Sequence, residues 1–115
     1  MRVFLYGSLM DPAVFARCTG TAEPVLAARA AQLHGWRRVA LRGAVFPTLV
    51  AAPSSTVNGL LAEVPPSLLP ALHAYEGPLY RFLRVRVFCG GTRLAARAWA
   101  ARPDRADAAR EWTTG

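Results

Sequence analysis

Two stretches of this chain carry residue types and spacings that could do chemistry. The first is Tyr6-Gly7-Ser8-Leu9, between an apolar run and the start of a helix. Successive backbone N–H groups in such a turn, beside the partial positive charge of a helix start, suit a carboxylate or an oxyanion. Glycine there lets a ligand approach the main chain. An ordinary strand-to-helix turn would use the same residues. The second stretch is Leu72-His73-Ala74-Tyr75-Glu76-Gly77-Pro78-Leu79-Tyr80-Arg81. Its carboxylate stands among apolar and aromatic neighbours, a setting in which desolvation raises a carboxyl pKa and makes a proton acceptor useful near neutrality. The alternative is a solvated glutamate at a helix end, mildly disfavoured there by the helix dipole.

The elements that must position these residues follow from periodicity and breakers. Arg2 to Tyr6 is a β-branched and aromatic run stopped by Gly7, which reads as a buried strand. Asp11-Pro12 supplies an N-cap and a first-turn proline for a short helix reaching about Cys18. Strands are expected over Val25–Ala31, over Gly35–Leu41 and over Phe46–Val50, with a loop at Pro53-Ser54-Ser55. Val57 to Val64 reads as another strand, in which Gly59 signals a bulge or a close backbone approach. Leu68, Leu69, Leu72 and Tyr75 recur at helical spacing, so Ser67 to about Tyr75 is a helix with one apolar face, ended by Gly77-Pro78. Glu76 then lies in its last turn. Tyr80–Phe88 and Thr92–Ala101 alternate and pair across the Gly90-Gly91 turn. Pro103 to Thr114 is polar and alanine-rich, which predicts one or two helical turns docked by Trp112.

The chain has 115 residues, 53% apolar and 18% charged, enough for one packed domain over 1–115 and too apolar for intrinsic disorder. All 14 basic residues are arginines against 7 acids, for a net charge of +7. They are spread singly or in pairs from Arg2 to Arg110, without the basic tail that wraps nucleic acid. The balance favours an anionic small molecule and argues against nucleic acid. The opening apolar run, Val3 to Tyr6, is too short for a secretory core, and no run approaches a membrane span, so a soluble, cytoplasmic protein is expected. Cys18 and Cys89 lack CxxC spacing and read as two reduced, partly buried thiols. The histidines and cysteines are too scattered for a zinc site, and no GxSxG elbow supports a Ser8 triad with His34 or His73.

In order and spacing, Tyr6-Gly7-Ser8-Leu9, Phe46-Pro47-Thr48-Leu49, Val57-Asn58-Gly59-Leu60-Leu61 and Tyr75-Glu76-Gly77, with Tyr80, Val85 and Val87 beyond, resemble the gamma-glutamylcyclotransferase-like family over residues 2 to 100. The resemblance implies an α+β fold: a small mixed β-barrel, closed or nearly closed, with short flanking helices. It implies a pocket between the Tyr6–Leu9 loop and Glu76, and a reaction that turns a gamma-glutamyl amide into 5-oxoproline with release of an amine. Glu76 would be the general acid/base, Tyr6, Gly7, Ser8, Leu9 and Tyr80 the substrate-binding residues, and neither metal nor cofactor would be needed. One departure is His73, where members often carry aspartate. A non-catalytic module of the same fold, holding an acidic metabolite in the same pocket, is the alternative.

The chemistry asks for little. The substrate's own α-amino group attacks its γ-carbonyl, so one base and good positioning suffice. An ordinary glutamate near 4.3 taking a proton from an amino group near 7.8 is uphill by about 3.5 pKa units, or roughly 5 kcal/mol. Burial narrows that gap from both sides. The backbone of Gly7 to Leu9 would clamp the α-carboxylate or meet the developing oxyanion, and Tyr6 and Tyr80 would be walls or hydroxyl donors.

Overall fold

The computed structural model describes residues 1–112 of the chain. Six strands are arranged in the order β3-β1-β5-β4-β2-β6: β1 (Arg2–Leu5), β2 (Arg29–Leu41), β3 (Pro47–Glu63), β4 (Tyr80–Cys89), β5 (Thr92–Ala101) and β6 (Ala106–Glu111). A further β3–β2 pairing joins the ends, so the first five strands close into a barrel and β6 adds to the margin of β2. All pairings are antiparallel except β1 with β5, where Val3 faces Arg97. The mixed barrel with short helices agrees with the architecture expected from the motifs.

Alternation along the strands sorts the apolar residues into two cores. Phe4, Tyr6, Leu33, Leu49, Val57, Val85, Val87 and Ala98 fill the barrel. Val3, Leu5, Phe15, Val64, Leu72 and Trp99 form a second cluster, which brings together the other faces of β1 and β5 and the helices α1 (Pro12–Thr19), α2 (Glu23–Leu26) and α3 (Leu69–Glu76). Helix α1 starts as its sequence requires, with the Asp11 carboxylate accepting from Ala13 N–H at 2.9 Å and Pro12 in the first turn. Gly59 is a close-approach glycine: a Cβ there would lie 2.3 Å from the Leu5 carbonyl oxygen and 2.8 Å from the Phe4 ring. Cys18 and Cys89 are both free thiols.

Three expectations are corrected. The strand expected over Val25–Ala31 begins only at Arg29, because Pro24 in the first turn, with Thr21 Oγ1 accepting from Glu23 N–H at 3.2 Å, nucleates the single helical turn of α2 first. Pro53-Ser54-Ser55 is not a loop between strands but lies within β3. Pairing slips there between Trp36↔Ala51 and His34↔Thr56, and this bulge spares Pro53 the N–H it lacks. Only Pro103–Arg105 turns as a 3-10 helix in the C-terminal stretch. Ala106–Glu111 is strand β6, drawn out by pairing with β2 and by Trp112 N–H donating to the Arg38 carbonyl at 3.3 Å. Tertiary pairing overrides alanine's helix preference. Thr113 and Thr114, which the expected helix included, lie outside the described residues.

Candidate active site

The parallel β1–β5 pair decides where the site is built. Strand β1 ends at Leu5 and releases Tyr6 and Gly7 into a single 3-10 turn, Ser8–Met10, which precedes α1. Met10 N–H donates to Gly7 O and Asp11 N–H to Ser8 O, whereas the N–H groups of Gly7, Ser8 and Leu9 have no acceptor among the described residues. Three consecutive unpaired donors are what an anion needs. Gly7 is pressed so closely on Pro47 that a Cβ would lie 2.9 Å from the proline Cγ.

Helix α3 brings in the carboxylate. Leu72 is fully buried, and Glu76, four residues on, lies on the same face one turn later. Leu68, Leu69 and Leu72 pack into the second core as the expected apolar face requires, and only Tyr75 departs from it. Glu76 turns inward, while Tyr75 is 44% exposed and its hydroxyl meets Ser8 Oγ at 2.7 Å. Gly77, at φ 86°, ends the helix immediately after Glu76. Burial pushes the Glu76 carboxyl up to about 7.

These elements enclose a cavity of about 200 Å³, walled by the end of β1, the Tyr6–Leu9 loop, Phe46, Pro47, Tyr75, Glu76, Tyr80 and Trp99. Tyr6, Gly7, Ser8, Leu9, Glu76 and Tyr80 thus line one pocket, the juxtaposition expected from the sequence. Both tyrosine hydroxyls are spoken for: Tyr6 donates to the Trp99 carbonyl and Tyr80 to the Pro47 carbonyl, the latter at 2.6 Å. Burial, then the neighbouring Glu76 charge, pushes the Tyr80 phenol up to about 12. The Tyr6 phenol is raised well above its ordinary range by burial first and by Glu76 next. Both stay protonated.

Four contributors went unread at the sequence level. Trp99 forms a wall, and its carbonyl anchors the Tyr6 hydroxyl. Tyr75 braces Ser8; its place beside Glu76 was the available signal. Arg38 donates to the Tyr6 carbonyl at 2.8 Å while its guanidinium lies 5.1 Å from the Trp112 ring centroid, and no local pattern announces that contact. His73 does not line the pocket. Its Nδ1 accepts from the Trp99 indole N–H at 3.1 Å, and its ring meets Phe82 and Trp99 edge-on, so it fixes the indole that walls the cavity. Among the described residues no cluster of histidine, cysteine or carboxylate side chains could hold a metal, and no helix is long and apolar enough to cross a membrane.

A closed barrel with a partly buried carboxylate facing a free N–H loop defines a class of small pocket-bearing barrels, and comparison with known proteins gives that class its name. The family described as gamma-glutamyl cyclotransferase, AIG2-like, matches residues 3–114, and the chain belongs to it. Protein AIG2 C of Arabidopsis thaliana is 37% identical over 87 residues, 74% of this chain and 50% of that protein, so the chain spans about half the length of this relative. A solution structure of another Arabidopsis thaliana protein superposes with a TM-score of 0.77 at 27% identity, covering 98% of this chain and 69% of the other. A structure called gamma-glutamyl cyclotransferase superposes at 0.74 with 18% identity, covering 89% and 66%, and shares the fold.

Proposed function

We propose that the chain is a gamma-glutamylcyclotransferase-like enzyme that converts a gamma-glutamyl amide into 5-oxoproline and a free amine, with Glu76 as general acid/base. The observation that carries this reading is a carboxylate held near neutrality in the same cavity as three unpaired backbone N–H groups.

With Glu76 at about 7, taking a proton from an α-amino group near 7.8 is uphill by only about 1 kcal/mol, against the roughly 5 kcal/mol of an exposed glutamate. The deprotonated α-nitrogen attacks the γ-carbonyl carbon, and the new C–N bond closes the five-membered ring. The carbonyl oxygen becomes an oxyanion. As the bond to the departing nitrogen breaks, Glu76 returns its proton to that nitrogen, and the second proton shed by the α-nitrogen leaves to solvent. The loop N–H groups of Gly7, Ser8 and Leu9 hold the substrate's α-carboxylate or this oxyanion. Tyr6 and Tyr80, their protons committed to backbone carbonyls, serve as walls that fix the ring-forming conformation.

The test is release of 5-oxoproline from gamma-glutamyl amides by the wild-type chain and by Glu76→Gln. The variant is expected to keep its fold and lose at least about 100-fold in kcat, the scale of general acid/base catalysis. Near-normal turnover in Glu76→Gln refutes the assignment. Binding of gamma-glutamyl compounds with no turnover by wild type assigns the non-catalytic module instead.

A further inference from the structure

The pocket's mouth differs in kind from its interior. Among the described residues six large apolar side chains are exposed, and two of them, Phe46 (58% exposed) and Tyr75 (44%), line the cavity itself. Two large aromatic side chains that are exposed and yet line the same cavity offer a contact surface at its mouth. The rim is also held in place. Arg110 Nη2 donates to the carbonyls of Leu41 and Ala44 at 3.0 and 2.8 Å, Trp112 Nε1 donates to Val45 O at 2.7 Å, and Leu41 N–H donates to Phe46 O at 2.7 Å. Strand β6 and the residue beyond it thus clamp the β2–β3 turn that carries Phe46. A loop whose backbone is tied at four points presents Phe46 at little further entropic cost on binding.

Charge sharpens the reading. Among the described residues Glu76 is the only acidic side chain that lines the cavity, and no arginine or histidine lines it. A carboxylate on the far side of the scissile bond would find no counter-ion in the cavity wall. The Arg110 guanidinium on the turn that carries Phe46 is committed to the Leu41 and Ala44 carbonyls and to Asp107, so desolvating that carboxylate is costly. At about 200 Å³ the enclosed space is smaller than pockets that engulf drug-sized ligands, so it accommodates the glutamyl unit and leaves the amine portion at the mouth.

We infer that the substrate's amine portion is an uncharged apolar or aromatic group, received by Phe46 and Tyr75, and that Phe46 is the specificity-determining residue. This rests on the cyclotransferase reading above, and its test is built to fail separately from it. Gamma-glutamyl phenethylamide and gamma-glutamyl-phenylalanine differ only by the carboxylate on the amine portion, which makes them a matched pair. The expected kcat/KM ratio in favour of the phenethylamide is about tenfold or more, and Phe46→Ser is expected to bring it close to one. The same ratio is read in binding to Glu76→Gln by calorimetry, which needs no turnover.

A ratio at or below one in both measurements overturns the inference even if 5-oxoproline is released. A ratio that Phe46→Ser leaves unchanged overturns the role of Phe46. No turnover of either amide, with the binding preference intact, sinks the cyclotransferase reading and leaves the apolar subsite standing. Concentration-dependent dimerisation abolished by Phe46→Ser assigns the rim to a second copy of the chain and overturns the inference too.

Discussion

In the proposed reaction Glu76 couples catalysis to stability, because the burial that would make it a serviceable base also makes its charge costly. Its folded value of about 7 exceeds an unfolded value near 4.3, so between those limits the folded chain holds a proton the unfolded chain has released. The stability this group allows is complete below about pH 4.3, declines as pH rises through 7, and stays reduced above. Glu76→Gln is therefore expected to be more stable than wild type near pH 8.5, on the order of 2 kcal/mol after allowing for partial exposure, and nearly equal near pH 4.5, as read from Tm at the two pH values. The proposed base role carries a kinetic counterpart: kcat/KM should rise with pH through an inflection near 7, and a flat profile across that range argues against Glu76 as the base. At this scale the sequence was informative where chemistry sits beside a breaker. Gly77 located the end of α3, and the apolar neighbours of Glu76 pointed to a raised pKa. The expected apolar face of the helix holds at Leu68, Leu69 and Leu72 and fails only at Tyr75, which looks like core whereas its hydroxyl reaches Ser8 and Glu76 lines the cavity.

Strands reveal a different limit on local reading. Gly59 was legible as a close approach, and its partner proves to be the Leu5 carbonyl at the point where β1 hands over to the loop. Gly59→Ala would force a methyl against backbone that has no room to retreat, so a loss of about 3 kcal/mol or failure to fold is expected by urea denaturation. Pro53 and the alanines of β6 misled for a shared reason. Pro53 is accommodated only because β2 and β3 slip register opposite Gly35, and β6 is extended only because β2 has a free margin there. Neither fact is encoded within a few residues. Trp112→Ala tests the clamp separately: backbone amides of the β2–β3 turn should exchange hydrogen faster, while those of the β4–β5 hairpin should not change.

For the molecule as a whole, the order of short motifs along the chain carried what no single element could. Tyr6, Phe46-Pro47, Gly59 and Tyr75-Glu76 are separated by tens of residues, yet three of these four points line one cavity and the fourth lets the chain pass behind it. The parallel pairing of β1 with β5 is what gathers them, and it joins residues 93 positions apart through the Tyr6 hydroxyl and Trp99. Contacts of such separation slow folding, so refolding on the ~millisecond-to-second scale is expected in stopped-flow measurements. The same pairing imposes a schedule during synthesis. Tyr6 leaves the ribosome 93 residues before the carbonyl that fastens its hydroxyl, so a nascent chain exposes the Tyr6–Leu9 loop and Glu76 with one wall of their cavity missing until the fifth strand has emerged.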